Sequence, residues 1–540
     1  MVTKIDNLAL FSEKFPQYAL LVPQWEPKKM ETTSFQWDET CLNDIEVLYL
    51  FGLEDGSFYQ KLSPWLHQHP ERQLILLEED EGVVAAHLLE EALWLLDAQV
   101  DFALLPKGKS KECLFQELAE KYPAKHIEVF GSPKERLNLL RKSTLSHALF
   151  TDRLHGFQPF DNFVRNVPRL QGGFYANGLK NAFQGVPVIV CGAGPSLEMA
   201  IPLLKQLEGR AIVIAGGSTL AALSAHGYQP HFGVAIDPNL EEYHRFQSSF
   251  CFECPLLFST RVFPGIFHTC NGPFGYLRSG VGGALELWLE EELKLTDPLL
   301  GHHLSDESIS VTSICLAFAQ HIGASAILLS GVDLAYTGGR RYAGGVTEEK
   351  LSIKELEKGK NSPDRIVRKK DKQGRFVYTA VRWVMEAASI SHYAKRHPEI
   401  CWINATEGGL PIKGVKNMSL QAAAEKFLTK QTDLRGQVAQ QIALHPMPSN
   451  PSLLQELRIS LERLIAHLET LSGQKSGSKA LAELEMRDEL ATSILFYDMP
   501  KVLEQTLSRK VREKGALRDA ASWTLYHQVA KKYLERFESV

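Results

Sequence analysis

Residues 186–197 read Val-Pro-Val-Ile-Val-Cys-Gly-Ala-Gly-Pro-Ser-Leu, an apolar β-branched run that stops in Gly192-Ala193-Gly194-Pro195-Ser196. The run reads as a buried strand. The stop reads as a turn into a helix, because Leu197, Ala200, Leu203 and Leu204 follow at helical spacing. Glycines allow close backbone approach, and the first turn of a helix has N–H groups without intrahelical partners. The loop is therefore expected to offer free amides to an anion. A dinucleotide fingerprint asks for a third glycine where this chain has Leu197. It also asks for an acid after the next strand, where the chain has Ala215-Gly216-Gly217-Ser218, so an NAD site fits poorly.

Working outward, 540 residues and a net charge of −5 predict about three domains and give no basic excess for nucleic acid. The first fifteen residues mix Lys4, Asp6, Glu13 and Lys14 into their apolar positions, unlike a signal peptide, and no apolar run is long enough to span a bilayer. A soluble, cytoplasmic protein is the expectation. The eight cysteines are sparse and mostly lie in apolar contexts, as reduced core thiols do. Cys251, Cys254, His268 and Cys270 are four possible zinc ligands in a short span. Their spacing matches no zinc pattern, so core packing is the expectation and a metal role stays open.

The first segment alternates apolar runs (Ile45–Phe51, Leu74–Leu77, Asp101–Leu105, Ile127–Phe130) with amphipathic stretches, predicting an N-terminal α/β domain over 1–180. Its strand ends, Gly52-Leu53-Glu54-Asp55-Gly56 and Glu78-Glu79-Asp80, look like a decayed nucleoside site of the methyltransferase type, better read as scaffold. Residues 181–415 then carry strands at Val186–Cys191, Ala211–Ala215, His231–Ile236, Leu256–Phe258, Ala326–Leu329 and Ile400–Ile403. These alternate with helices and predict a Rossmann-like, mostly parallel sheet. Beyond Gly414 the composition turns to helix formers (Leu420–Thr429, Leu454–Leu471, Lys479–Phe496, Ala516–Phe537). An all-helical domain over 416–540 follows, expected to present an acceptor or partner and to leave a truncation at Val415 folded.

Ligands of such sheets bind at the carboxyl ends of the strands. The residues there form a set: Gly192, Gly194, Pro195 and Ser196; Gly216, Gly217, Ser218 and Thr219; Asp237; Ser259 and Thr260; Asp333; Asn404 and Glu407. Ser196 and Asp237 are expected to line an open cleft. Arg340 and Arg341 are candidates to neutralise a leaving group, and His302 and His303 are candidate bases. The cation-rich stretch from Thr347 to Arg375, Lys372 included, reads as a solvated loop, with a mobile lid or an acceptor-binding arm as the alternatives.

Four motifs in order carry a resemblance: Gly-Ala-Gly-Pro-Ser-Leu (192–197), Phe-Gly-Val-Ala-Ile-Asp-Pro (232–238), Leu-Ser-Gly-Val-Asp-Leu-Ala-Tyr (329–336) and Ile-Asn-Ala-Thr-Glu-Gly-Gly (403–409). Together they resemble the motility-associated factor glycosyltransferases, which share a domain with the archaeal 6-hydroxymethylpterin pyrophosphokinases. The chain departs from that family in reading Ser308-Ile309-Ser310-Val311 where a Gly-Gly-Ser-Val is usual. The resemblance implies a sialyltransferase-like fold and transfer of a nonulosonic acid from a CMP-activated donor to Ser or Thr of a protein, flagellin-like in a motile organism. It implies that Gly192, Gly194 and Ser196 hold the donor phosphate, and Ser218 and Thr219 the nucleoside. Asp237 would meet a ribose or acceptor hydroxyl, and Asp333, Asn404 and Glu407 would complete the pocket. Asp237 and Asp333 are then the catalytic candidates. Without an Asp-x-Asp, a metal-bridged diphosphate donor is disfavoured and no cofactor is firmly implied. A pterin pyrophosphokinase and an inactive nucleotide-binding scaffold are the other two readings.

Overall fold

A computed structural model describes residues 6–28, 42, 44–53, 56–90, 92–123, 125–247, 253–305, 308, 310–346, 365–497 and 515–539. The expected Glu54, Asp55, Cys251 and Ile309 features, and the start of the cation-rich stretch, lie outside them. The chain forms two compact units: Met1–Leu154 with Leu351–Arg368 and Tyr378–Met385, and His155–Lys350 with Lys369–Val377 and Glu386–Val540.

In the first unit, β1 (Val47–Phe51), β2 (Gln73–Glu78), β3 (Val100–Leu104) and β4 (Ile127–Phe130) form a sheet of order β3-β2-β1-β4, parallel throughout. Both faces of β1 are buried, which is why it reads as an unbroken apolar run rather than an alternating one. Phe11, Phe15 and Trp94 pack around Phe102 on one face. At the carboxyl edge the buried Glu78 carboxylate accepts the backbone N–H groups of Leu53 at 2.9 Å, Glu79 at 2.7 Å and Asp80 at 2.9 Å. The acid that ends β2 is thus engaged by its own backbone.

The second unit holds β5 (Phe174–Tyr175), β6 (Val188–Cys191), β7 (Ile212–Gly216), β8 (Phe232–Ala235), β9 (Leu256–Phe258), β10 (Phe274–Tyr276), β11 (Ala326–Ser330), β14 (Cys401–Asn404) and β15 (Lys416–Asn417). They pair in the order β15-β14-β11-β6-β7-β8-β9-β10-β5, each pair parallel. Each expected strand is present. β12 (Ile366–Lys370) and β13 (Phe376–Ala380) form a separate hairpin, its first strand inside the stretch expected to be a loop and its second just past Arg375.

The division differs from the expected boundaries in two places, for two physical reasons. Helix Gln158–Asn166 belongs with the second unit, because its amides hold loops of the large sheet, as described below. Residues 416–540 do not separate. They form helices Leu420–Phe427, Leu434–Leu444, Leu453–Leu471, Lys479–Asp488, Leu490–Leu495 and Gly515–Glu538, but these share one core with the sheet. Ile189, Val213, Leu328 and Ile403 of the strands lie in one buried cluster with Leu420, Leu428, Leu457, Leu461 and Leu468. The backbone also joins them, since Tyr175 donates to His445 O at 2.8 Å and Met447 to Gly173 O at 2.9 Å. Among the described residues no helix is long and apolar enough to cross a membrane.

Candidate functional site

From β6 the chain steps outward through β7, β8, β9 and β10, then returns to place β11 on the other flank of β6. β6 and β11 therefore flank a topological switch point, the place at which ligands of open parallel sheets bind. Ser196 sits on the first loop and Asp333 on the second, each only 2 % exposed. The Ser196 hydroxyl donates to Asp333 Oδ1 at 2.5 Å and the Ser196 N–H to Oδ2 at 3.3 Å. Thr337 Oγ1 donates to Oδ2 at 2.7 Å. Burial raises the Asp333 pKa above the ordinary carboxyl value, against the pull of the Ser196 and Thr337 hydrogen bonds.

These bonds correct the expectation of free amides. Gly192 N–H donates to Ser330 O at 2.8 Å and Gly194 N–H to Gly331 O at 2.8 Å, while Ser196 N–H goes to Asp333. The anion at the start of helix Leu197–Gln206 is a carboxylate of the chain itself. Gly194 is needed because a Cβ there would meet Asp333 Oδ1 at 2.3 Å, so its close approach is to protein. Pro195 is buried beside it, and Ser196 lines no open cleft. Asp237 is half-buried, and its N–H donates to Glu242 Oε2 at 2.8 Å.

The loop after β14 closes onto Asp333 from the other side. Leu410 N–H donates to Asp333 O at 2.9 Å, and Gly409, at φ +78°, lies so near that a Cβ would strike that carbonyl. Thr406 Oγ1 accepts Val332 N–H at 3.1 Å. Asn404 is fully buried; its Oδ1 accepts Thr406 N–H at 3.2 Å, and its Nδ2 has no partner among the described residues. Glu407 is exposed. Into this loop reaches Lys372, whose ammonium donates to Thr406 O and whose N–H donates to Gly409 O at 3.2 Å. Burial lowers the Lys372 pKa, and the charges of Glu407, Asp333 and Asp371 oppose that shift. Asp333, Lys372, Thr406 and Glu407 thus gather at one sheet edge.

The strand ends farther along the sheet are differently engaged. Gly216 packs on the Val311 side chain, and Ser218 and Thr219 open helix Ser218–Ala225 as buried residues. Ser259 and Thr260 are not offered to a ligand. Their hydroxyls donate to the buried Glu286 Oε1 at 2.7 and 2.6 Å, Thr260 N–H joins them, and Gly282 N–H reaches Oε2 at 2.9 Å. The acceptor of these bonds is a carboxylate inside helix Gly283–Glu292. Below these loops, one face of helix Gln158–Asn166 acts as a clamp. Gln158 and Asn162 donate to Pro238 O at 2.8 and 3.0 Å, and Asn162 also to Arg261 O at 2.7 Å. Asn166 donates to Thr260 O at 2.8 Å and Val262 O at 2.6 Å.

The accessory candidates are placed elsewhere or already paired. Arg340 makes a two-point pair with Glu198, at 2.7 and 3.1 Å, and Arg341 lies over the Tyr342 ring at 4.9 Å. His303 packs against His397 with ring centres 5.7 Å apart. His397 precedes β14, so this histidine pair lies at the amino end of that strand, away from Asn404. Cys254 and Cys270 are buried, and among the described residues no three His, Cys, Asp or Glu side chains gather to hold a metal ion. Sequence reasoning missed Glu286, the Gln158-Asn162-Asn166 face and the placing of Lys372. For Lys372 a signal existed, since Asp371-Lys-Gln-Gly374 between two strand-like runs is a hairpin turn.

Against known proteins, residues 161–339 match the family model described as 6-hydroxymethylpterin diphosphokinase MptE-like. Among curated proteins none matches the sequence. A solved structure titled as a Maf glycosyltransferase from Magnetospirillum magneticum AMB-1 is similar at 14 % identity and a TM-score of 0.43, over 99 % of this chain and 93 % of that one. Over residues 161–339 the chain thus matches an MptE-like domain, the domain that its strand-end motifs led us to expect.

Proposed function

We propose that the chain is a glycosyltransferase that moves a nonulosonic, sialic-acid-like sugar from a CMP donor to a Ser or Thr hydroxyl of a protein acceptor. The observation that carries this reading is the switch point between β6 and β11 in an MptE-like domain, with Lys372 and Glu407 gathered at that sheet edge and Asp237 following β8, two strands from β6. In the transfer, the bond between the anomeric carbon and the phosphate oxygen breaks with its electron pair left on CMP. The acceptor oxygen then bonds that carbon and gives up its proton to a carboxylate. Asp237 suits that base better than Asp333, because it is half-buried whereas Asp333 is sealed in and already accepts three hydrogen bonds. Asp333 is then a positioning residue that ties the loops after β6, β11 and β14 together. Asn404 and Ser196 support that frame, and Gly216, Ser218 and Thr219 form the wall beside it.

Incubating the full chain with a CMP-nonulosonic acid and a Ser/Thr-rich flagellin-type protein, and following CMP release and acceptor mass, tests the reading. Release that requires the acceptor and disappears in Asp237→Asn is the expected outcome, and no release above the background of the donor alone would count against it. The name of the matching family model favours one second reading, pyrophosphate transfer from ATP to a pterin alcohol. AMP formation from ATP and 6-hydroxymethylpterin would select it.

A further inference from the structure

Lys372 stands apart from the other cations around the crevice. Arg340 is held by both oxygens of Glu198, whose carboxylate also accepts Gly344 N–H at 2.6 Å, and Arg341 is stacked on Tyr342. The Lys372 ammonium is half-buried, yet among the described residues its one hydrogen bond goes to a neutral carbonyl, Thr406 O, and it makes no ion pair. Two of its three N–H donors remain. The carboxylates of Glu407, Asp333 and Asp371 act on this charge without an ion pair to it, and an anionic ligand would take up the donors that remain.

The lysine is also aimed by a turn built to be stiff. The buried Asp371 carboxylate accepts Gln373 N–H at 2.9 Å, Arg375 N–H at 2.8 Å and Arg375 Nε at 2.8 Å, while Asp371 N–H pairs with Arg375 O at 2.8 Å. Those bonds consume Asp371 and Arg375, and the Asp333 carboxylate is consumed by Ser196 and Thr337. Among the described residues, Lys372 is therefore the cation at this sheet edge whose ammonium keeps donors to spare.

We infer that Lys372 is the phosphate-holding residue of this crevice, donating from its ammonium to the phosphate of a nucleotide monoester. The inference rests on reading the crevice as a nucleotide site, and it adds the residue that bears the charge of the leaving group. The experiment is calorimetric titration of the full chain and its Lys372→Met and Lys372→Arg variants with CMP, cytidine and inorganic pyrophosphate, circular dichroism checking the fold of each. Lys372→Met should weaken CMP by about tenfold or more, as loss of a charge-assisted hydrogen bond does, leave cytidine unchanged and be largely rescued by Lys372→Arg. Equal losses for CMP and cytidine would show a merely structural role, and an unchanged CMP affinity would also overturn the inference. If the wild type takes up pyrophosphate but not CMP, the inference of a nucleotide monoester falls together with the cytidine reading, whatever Lys372→Met does to that uptake. Should no phosphate-bearing probe bind the wild type, both fall. If Lys372→Met is misfolded, the comparison of Lys372→Arg with the wild type decides: weakened cytidine binding there would contradict the inference.

Discussion

The hydroxyl of Ser196 donates to Asp333 Oδ1 over 2.5 Å, so the loop that ends β6 is closed by a carboxylate from the loop that ends β11. An arrangement that reads in sequence as an empty anion cradle is, in the fold, an internal lock between two strand ends.

Substituting Ser196 should therefore act on stability first. Ser196→Ala removes a hydrogen bond to a buried carboxylate and should cost about 1.5–3 kcal/mol. Ser196→Asp sets a second carboxyl against Asp333 and should cost more. Urea denaturation of both variants checks this, and wild-type midpoints would show that the lock contributes nothing.

Asp333 gives the lock a pH signature. Burial raises its folded pKa above the ordinary value of 3.8, so in the window just above that value the folded chain binds more protons than the unfolded one. Stability from this group is intact below the unfolded pKa and is lost as pH rises through the folded pKa. Relative to Asp333→Asn, which has no such titration, the wild type should lose ground as pH rises across that window. A difference between the two that stays flat, or moves the other way, in denaturation series at several acidic pH values contradicts the assignment.

Glu286 gathers Ser259, Thr260 and Gly282 on one buried carboxylate. Glu286→Gln turns one acceptor into a donor facing donors and should destabilise by about 1.5–3 kcal/mol. A guanidinium unfolding midpoint equal to that of the wild type would mean the hub is dispensable.

Truncation after Val415 removes β15 and the apolar side chains of Leu420, Leu428, Leu457, Leu461 and Leu468 from the core they share with the sheet. The shortened chain should lack a cooperative thermal transition and expose apolar surface to a hydrophobic dye. A sharp melt without dye binding would restore a separable helical domain.

The parallel sheets were legible because strands buried on both faces leave continuous apolar runs such as Val188–Cys191 and Ala326–Ser330. Strands of two or three residues, β5, β10 and β15, carry too few positions to show a pattern. The role of Gly194 was ambiguous for a physical reason, since close approach to a phosphate and to Asp333 both require a missing Cβ. Glu286, in a run that reads as an ordinary helix, meets Ser259 and Thr260, and the amide face Gln158-Asn162-Asn166 its carbonyls, across 26 or more residues of chain, a relation that local periodicity does not record. The same holds for the domain boundary at Val415, where composition changes but the core does not.

The central claim is that a cytidine nucleotide occupies the crevice at the switch point between β6 and β11. Calorimetric titration of the full chain with CMP and with ATP tests it most directly. The account predicts saturable CMP binding with a matching rise in melting temperature and weaker ATP binding. Saturable binding of ATP with none of CMP would contradict it.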